Sequence, residues 1–196
     1  LLAPAAAHAA TGAAALLDPV KALFQQALDF IGSGWGMISE KVNEWTGGAG
    51  ADLIVGGAGI DTLKGGPGND TYVLGRGYGA ETIQENDATA GNTDVGQFLS
   101  DIATDQIWFQ RFGNNLAVSI IGTTDQFTVQ NWYLGGQYRV EQFRTSDSHT
   151  LLEGQVQNLV NAMAAFAPPA AGQTTLPQSY ADVLNPVIAA KPRACR

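Results

Sequence analysis

Four apolar side chains, Ile54, Leu63, Tyr72 and Ile83, recur through the middle of the chain, the first three nine residues apart and the fourth after a two-residue insertion. The segment reads GGAGADLIV, GGAGIDTLK, GGPGNDTYV, then LG, then RGYGAETIQ. Each unit opens on a glycine-rich tetrad that permits a tight turn. Each closes on about three extended residues whose central side chain can face inward while its neighbours face out. Turn and short strand in alternation predict a flattened coil with two nonapeptides per circuit, so that residues 18 apart stack.

The periodicity changes on both sides of this segment. From Asp18, a good N-cap followed by Pro19, the residues Val20, Leu23, Phe24, Ala27, Leu28 and Ile31 recur at helical spacing. Gly32, Gly34 and Gly36 predict a break before a second helical piece, Met37 to Trp45. Beyond the repeats, IWFQRF, LAVSII, DQFTVQNW, YRVEQFR and HTLL alternate with the turn signals FGNN, GTTD, LGGQ and TSDS. This predicts antiparallel hairpins that continue and close the coil. From Leu151, Val156, Leu159, Val160 and Met163 line one helical face until Pro168-Pro169. A shorter helix follows around SYADVL, with Ser179 as cap, Asp182 three residues on and Pro186 ending or kinking it. The expected organisation is a flexible segment over 1–16, a helical N-terminal cap over 17–46, the repeat coil over 47–96, an antiparallel β cap over 97–152 and a helical tail over 153–196.

Charge gives the coil its chemistry. Position six of each unit is acidic, as Asp52, Asp61, Asp70 and Glu81, and stacking places Asp52 over Asp70 and Asp61 over Glu81. Carboxylates at strand spacing repel unless a cation lies between them. The turns add backbone carbonyls, so the donors are all hard oxygens, a set that favours calcium over magnesium or zinc. The net charge is −8. Residues 47–105 hold −7 of it: Asp52, Asp61, Asp70, Glu81, Glu85, Asp87, Asp94, Asp101 and Asp105 against Lys64 and Arg76. Such a segment repels itself when cation-free, which makes metal binding part of folding. The acidity argues against nucleic acid as a partner, since no basic stripe is available for phosphates. The helix from Asp18 lacks a Lys/Arg-rich polar face, which argues against membrane attachment, and covering the open end of the coil is the more economical role.

The tandem GGxGxDxUx units resemble the nonapeptide of the RTX family, the haemolysin-type calcium-binding repeat, a known signature of calcium-binding coils. The resemblance covers about residues 47–190 and implies a mainly β fold: a short parallel β-roll with an antiparallel C-terminal cap and flanking helices. It implies calcium, as two or more ions, held by carbonyls and acids of stacked turns. A first site would use Gly47, Ala49 and Asp52 with Gly66, Gly68 and Asp70; a second would use Gly56, Ala58 and Asp61 with Gly77, Gly79 and Glu81. The fourth repeat departs from the pattern at Arg76 and Glu81. Further ions could be served by Glu85, Asp87, Asp94, Asp101 or Asp105, to which no site is assigned. The family also implies secretion to the extracellular space, the type I secretion machinery as partner, and a C-terminal tail as its uncleaved signal.

Other features add little chemistry. The start, LLAPAAAHAATGAAALL, has neither an initiator Met nor a basic first segment and is not a complete secretory signal; RTX parents often carry a toxin or enzyme module upstream. Cys195 is the sole cysteine, which excludes a disulfide framework. HExxH, GxSxG and P-loop motifs are absent, and His8 and His149 are the only imidazoles. His149 beside Asp147, Ser146 and Ser148 reads as a turn, and Asp18-Pro19 as a helix start, so catalysis is not expected in this chain. Trp108, Trp132, Tyr133 and Phe143 fit a core better than a sugar platform. A calcium-stabilised adhesion or ligand-binding module is the alternative to a secreted calcium-binding module of a larger toxin, enzyme or adhesin.

Overall fold

The computed structural model describes residues 42–146 and 149–188, all within one compact unit, Ser39–Arg196. Eleven strands among these residues form two sheets. The coil alternates between them: β1 (Val42–Thr46), β3 (Ile60–Lys64) and β5 (Ala80–Ile83) lie in one, and β2 (Leu53–Ile54), β4 (Thr71–Leu74) and β6 (Val95–Phe98) in the other. Among these six strands, neighbours within a sheet are parallel. Val42 pairs with Ile60 and Leu53 with Thr71, both 18 residues apart, while Thr62 pairs with Thr82 across the two-residue insertion. The fold is therefore the mainly β, parallel roll that the repeat pattern predicts.

Two corrections concern the ends of the roll. Val42–Thr46 is the first strand, whereas the sequence pattern ran a helix through Trp45; the remainder of the predicted helical cap, together with His8 and Asp18-Pro19, lies outside the described residues. Pairing with β3 outweighs the short helical periodicity of VNEW, since Val and Trp favour extended backbone. At the other end, the parallel roll does not stop at residue 96. β9 (Gln126–Val129) runs parallel to β5, and β10 (Gln142–Arg144) runs parallel to β6, so each sheet gains a fourth parallel strand from the region expected to be an antiparallel cap. Only β7 (Ile107–Phe112) with β8 (Asn115–Ile120), β8 with β9, and β11 (Thr150–Leu152) with β10 are antiparallel.

The core fills the space between the sheets. Ile54, Leu63, Tyr72 and Ile83, the predicted inward positions, are all buried, and the same cluster takes in Leu74, Phe98, Leu116, Val118, Phe127 and Val129. Phe98 of β6 meets Phe127 of β9 edge-on at 6.4 Å between ring centroids, which ties one sheet to the other. Gly96 occupies the inward position between Tyr72 and Phe143 in register. A Cβ there would stand 2.8 Å from the Phe143 ring and 3.2 Å from Leu74 Cδ1, so the absent side chain makes room for these two neighbours.

Helix α1 (Glu153–Met163) lays Val156, Leu159, Val160 and Met163 against β7, as its periodicity predicts. α2 (Gln178–Ile188) begins one residue before Ser179, packs on α1 and buries Leu184, while Tyr180 stacks on Phe166 at 4.3 Å. Pro186 lies inside its last turn without ending it. No described helix is long and apolar enough to cross a membrane.

The aromatic residues of the cap are mostly interior. Trp108, Trp132 and Phe143 are buried, and Trp132 stacks beside Phe143 at 6.1 Å. Tyr133 is half-buried beneath the Arg111 guanidinium, 4.2 Å from its ring centre. Because Trp132 is 3% exposed, Trp132→Ala is expected to destabilise the calcium-loaded chain by about 3–5 kcal/mol, whereas Leu134→Ala, at 57% exposed, should stay within about 0.5 kcal/mol. Chemical denaturation of the two variants checks this; equal midpoints would return Trp132 to the surface.

Candidate metal centre

The acids of the repeats form two rows, one along the leading end of each sheet. In the first row, Asp52, Asp70, Asp94 and Glu141 stand immediately before β2, β4, β6 and β10. Each backbone N–H reaches the next carboxylate: Asp52 N donates to Asp70 Oδ1 at 2.9 Å, Asp70 N to Asp94 Oδ1 at 2.8 Å and Asp94 N to Glu141 Oε2 at 2.7 Å. One oxygen of each accepting acid is thereby fixed. In the second row, Asp61 in β3 and Glu81 in β5 stand side by side, and Asp61 Oδ1 accepts from Asn43 N at 3.2 Å. Asp125 follows, accepting from Gly77 N at 2.9 Å and Gly79 N at 2.8 Å.

The structure brings together both predicted sets of turns. Gly47, Ala49 and Asp52 lie on the turn that stacks over Gly66, Gly68 and Asp70, through Gly48 N to Gly65 O at 3.1 Å and Gly50 N to Pro67 O at 2.8 Å. Gly56, Ala58 and Asp61 meet Gly77, Gly79 and Glu81 through Gly59 N to Tyr78 O at 2.9 Å and Ala80 N to Gly59 O at 3.1 Å. The glycines are required by these approaches. A Cβ on Gly47 would lie 2.7 Å from Asp52 Oδ2 and 2.5 Å from Gly65 O, and one on Gly56 would lie 2.6 Å from Glu81 Oε2. Gly68, at φ +147°, faces the Gly50 carbonyl so closely that no side chain fits.

The remaining carboxylate oxygens carry the argument. Asp52 Oδ2, Asp61 Oδ2, Asp70 Oδ2, Glu85 Oε2 and both Glu81 oxygens are buried without a hydrogen-bond partner. Unpaired buried acceptors are costly, and ionised ones more so. The ion pairs among the described residues lie elsewhere: Lys64 with Glu44, Arg76 with Asp101 and Arg139 with Glu153. Arg76, the departure at position one of the fourth repeat, is thus engaged away from Glu81. Carboxylate and carbonyl oxygens facing one gap without a counter-charge fit a hard divalent cation.

Electrostatics agree. Burial, reinforced by Asp61 and Asp125, pushes the Glu81 carboxyl up to about 8. Burial with Asp94 and Asp70 takes Glu85 up to about 9, and burial raises Asp94 to about 7. Asp61, Asp70 and Glu141 are raised by the same cause. Asp87 is the exception: hydrogen bonds from Thr89 and the Gly68 N–H lower it to about 2.

Sequence reasoning did not reach Asp125 and Glu141, and it named Asp94 only among the acids that could serve further ions, without a place in the rows. Asp94 and Glu141 stand 24 and 47 residues beyond their partners, where the nonapeptide spacing no longer holds. Glu141-Gln142-Phe143 does keep the acid-x-apolar signature of the repeats, whereas Asp94 precedes Val95-Gly96, which hides it. Asp101 pairs with Arg76, and Asp105 sits exposed on a 3-10 turn, Thr104–Gln106, so neither joins a row. Of the predicted turn around His149, the His149 carbonyl accepts from Thr145 N at 3.0 Å, and Asp147 and Ser148 lie outside the described residues.

Residues 46–79 match the model of the RTX calcium-binding nonapeptide repeat (4 copies). The nonapeptides are RTX repeats. Residues 115–152 match the haemolysin-type calcium binding protein related domain, a span that contains β8 to β11. The iron-regulated protein FrpA of Neisseria meningitidis serogroup C is 36% identical over 92 residues, covering 45% of this chain and 8% of that protein. The chain carries a calcium-binding RTX repeat module, and it spans a small part of the relative's length.

The raised carboxyls fix the pH response of the cation-free chain. Glu81, Glu85 and Asp94 start from 4.5, 4.5 and 3.8 and rise on folding, so the folded state holds more protons than the unfolded state between about pH 4 and 9. Stability from these groups is complete below about pH 4 and is lost as pH climbs through 7 to 9. In chelator, the β signal in circular dichroism is expected to grow on acidification from pH 8 to 5. A loss of signal over that interval would contradict the raised carboxyls.

Proposed function

We propose that this chain is the calcium-binding RTX module of a larger secreted exoprotein, a toxin, enzyme or adhesin, which folds on calcium outside the cell and carries the C-terminal secretion signal. The observation that carries the reading is that, in the two acid rows, Asp52 Oδ2, Asp61 Oδ2, Asp70 Oδ2 and both Glu81 oxygens are buried with no hydrogen-bond donor. The ligand sets are those of the stacked turns: Gly47, Ala49 and Asp52 with Gly66, Gly68 and Asp70, and Gly56, Ala58 and Asp61 with Gly77, Gly79 and Glu81. Calcium supplies the charge neutralisation that these turns lack.

The chain's own residues set the mechanism. At low calcium the −7 segment repels itself and remains loose enough to thread a secretion channel, the type I machinery being the partner on this reading. At extracellular calcium, an affinity on the order of 10⁻⁴ to 10⁻³ M would suffice to draw the turns together. β9 and β10 then serve as the template on which β5 and β6 stack. The helices α1 and α2 belong to the tail taken as the secretion signal. The work of the module is binding and folding, with catalysis assigned to other parts of the parent. The burial of Trp108, Trp132 and Phe143 withdraws most of the surface on which a glycan-binding reading depended.

Titration with calcium, and with magnesium as control, tests this by far-UV circular dichroism. A cooperative gain of β signal with calcium alone is expected, and Asp52→Ala with Asp70→Ala should raise its midpoint by at least about tenfold, or about 1.4 kcal/mol. A chain already folded in chelator at pH 8 and indifferent to calcium would sink the proposal. Truncation after Gly96, which removes β9 and β10, is expected to abolish the calcium-induced gain although all four repeats remain. A truncated roll with unchanged calcium dependence would remove the template role.

A further inference from the structure

The glycine turns are joined by their own backbones. In the first two tetrads, N–H groups at positions two and four reach carbonyls of the turn stacked beyond: Gly48 N to Gly65 O at 3.1 Å and Gly50 N to Pro67 O at 2.8 Å on one side of the roll, Gly59 N to Tyr78 O at 2.9 Å on the other. The third and fourth tetrads, residues 65–68 and 76–79, have no further glycine tetrad to receive theirs. Backbone donors buried without a partner are costly, so something must replace the missing carbonyls.

Carboxylates do so. Gly77 N and Gly79 N, positions two and four of the fourth tetrad, donate to Asp125 Oδ2 at 2.9 Å and Asp125 Oδ1 at 2.8 Å. Gly68 N, position four of the third, donates to Asp87 Oδ2 at 3.0 Å. Asp125 is the more enclosed of the two acids, at 4% exposed. Its turn between β8 and β9 is closed on itself, through Asp125 N to Thr123 Oγ1 at 3.1 Å and Ile120 N to Asp125 O at 3.1 Å.

This sets Asp125 apart from the acids beside it. Asp61 and Glu81 leave buried oxygens with no donor, whereas both Asp125 oxygens are occupied by N–H groups. Gly77 and Gly79, at φ +78° and +90°, thus turn their N–H groups onto one anion, and such bonds are charge-assisted and need no cation. The same tetrad is tied at its start, where Arg76 Nε pairs with Asp101 at 3.2 Å and Arg76 Nη2 donates to Gln106 Oε1 at 3.1 Å. That pair is half-exposed and weak by itself. Together with the Asp125 bonds and the pairing of β5 on β9, it holds the tetrad from both ends.

We propose that Asp125 is a positioning residue: it is no ligand of a cation but the anchor that docks the fourth tetrad on the cap, with Gly77 and Gly79 in place, before calcium arrives. The tetrads at 47–50 and 56–59, which have no such anchor, are ordered only with the ion. The inference rests on the calcium reading of the RTX repeats for what the docked turn then receives. A turn ordered in advance lowers the entropy that ion binding must overcome, so Asp125 strengthens calcium binding without touching the ion.

Backbone amide exchange on the full chain at pH 7, resolved by residue in chelator and in calcium, tests the proposal. In chelator, the Gly77 and Gly79 amides are expected to exchange at least about tenfold more slowly than in an unstructured chain, and those of Gly48, Gly50 and Gly59 at the unstructured rate. Calcium should slow the latter three. Asp125→Ala should release Gly77 and Gly79 in chelator and raise the calcium midpoint, while Asp125→Asn, which keeps one acceptor oxygen, should retain protection at one of the two amides. Unprotected Gly77 and Gly79 in the natural chain in chelator, or protection that survives Asp125→Ala, overturns the anchor and leaves the RTX reading standing. Should Asp125→Ala fail to fold in calcium, the comparison of these amides within the natural chain decides the matter. If no amide responds to calcium, the RTX reading fails, and the anchor still stands or falls on Gly77 and Gly79 in chelator.

Discussion

Repulsion between carboxylates held one strand apart is the constraint on which the rest of this structure depends. Neighbouring strands sit about 4.8 Å apart, so any acid repeated in register stands above another of the same sign. A chain that repeats such an acid four times and buries three of them, Asp61, Asp70 and Glu81, must be neutralised or lose its fold. The glycines serve this arrangement. They remove every Cβ that would fill the gap beside Asp52 or Glu81, and they bring carbonyl oxygens of adjacent turns to the same place. Compact turns and unsatisfied charge are two results of one backbone path.

The hydrophobic side of the roll is slight where the charge is greatest. β2 contains two residues and buries one of them, Ile54, while Leu53 remains exposed. The large side chains gather further along, where Phe98, Phe127, Trp132 and Phe143 pack with α1 against the hairpin of β7 and β8. The molecule therefore grades from a thin, cation-dependent coil to a conventional apolar core. Its stability is expected to divide in the same way, since area buried per residue sets the hydrophobic contribution.

The nine-residue period made the first half of the fold legible, because a solenoid repeats its contacts at the interval at which it repeats its sequence. The inward side chains, the 18-residue register and the pairing of Asp52 with Asp70 all follow from that interval. Legibility fell where the coil continued without the period. β9 and β10 are parallel strands of the roll, yet turn signals and β-branched residues report only that a strand exists, not which neighbour it pairs with. Asp94 could be named as a possible ligand but not placed, because two residues along stands Gly96, where Phe143 and Leu74 leave no room for the apolar side chain that marks the repeats. Val42–Thr46 was misread because a four-residue helical period and a strand cannot be told apart over so few positions.

The last rung of the roll has a kinetic meaning. Ala80 pairs with Gln126 and Val95 with Gln142, separations of 46 and 47 residues, against 18 for the first rung. Closing such loops costs entropy before any contact rewards it, and slow folding follows from long contact order. A chain emerging N-terminus first presents its acidic turns well before the strands that would hold them. A chain emerging C-terminus first presents β9, β10 and their apolar core at the outset, and each rung then adds to an existing edge. The topology thus gives the molecule a preferred direction of assembly, from its end toward its beginning.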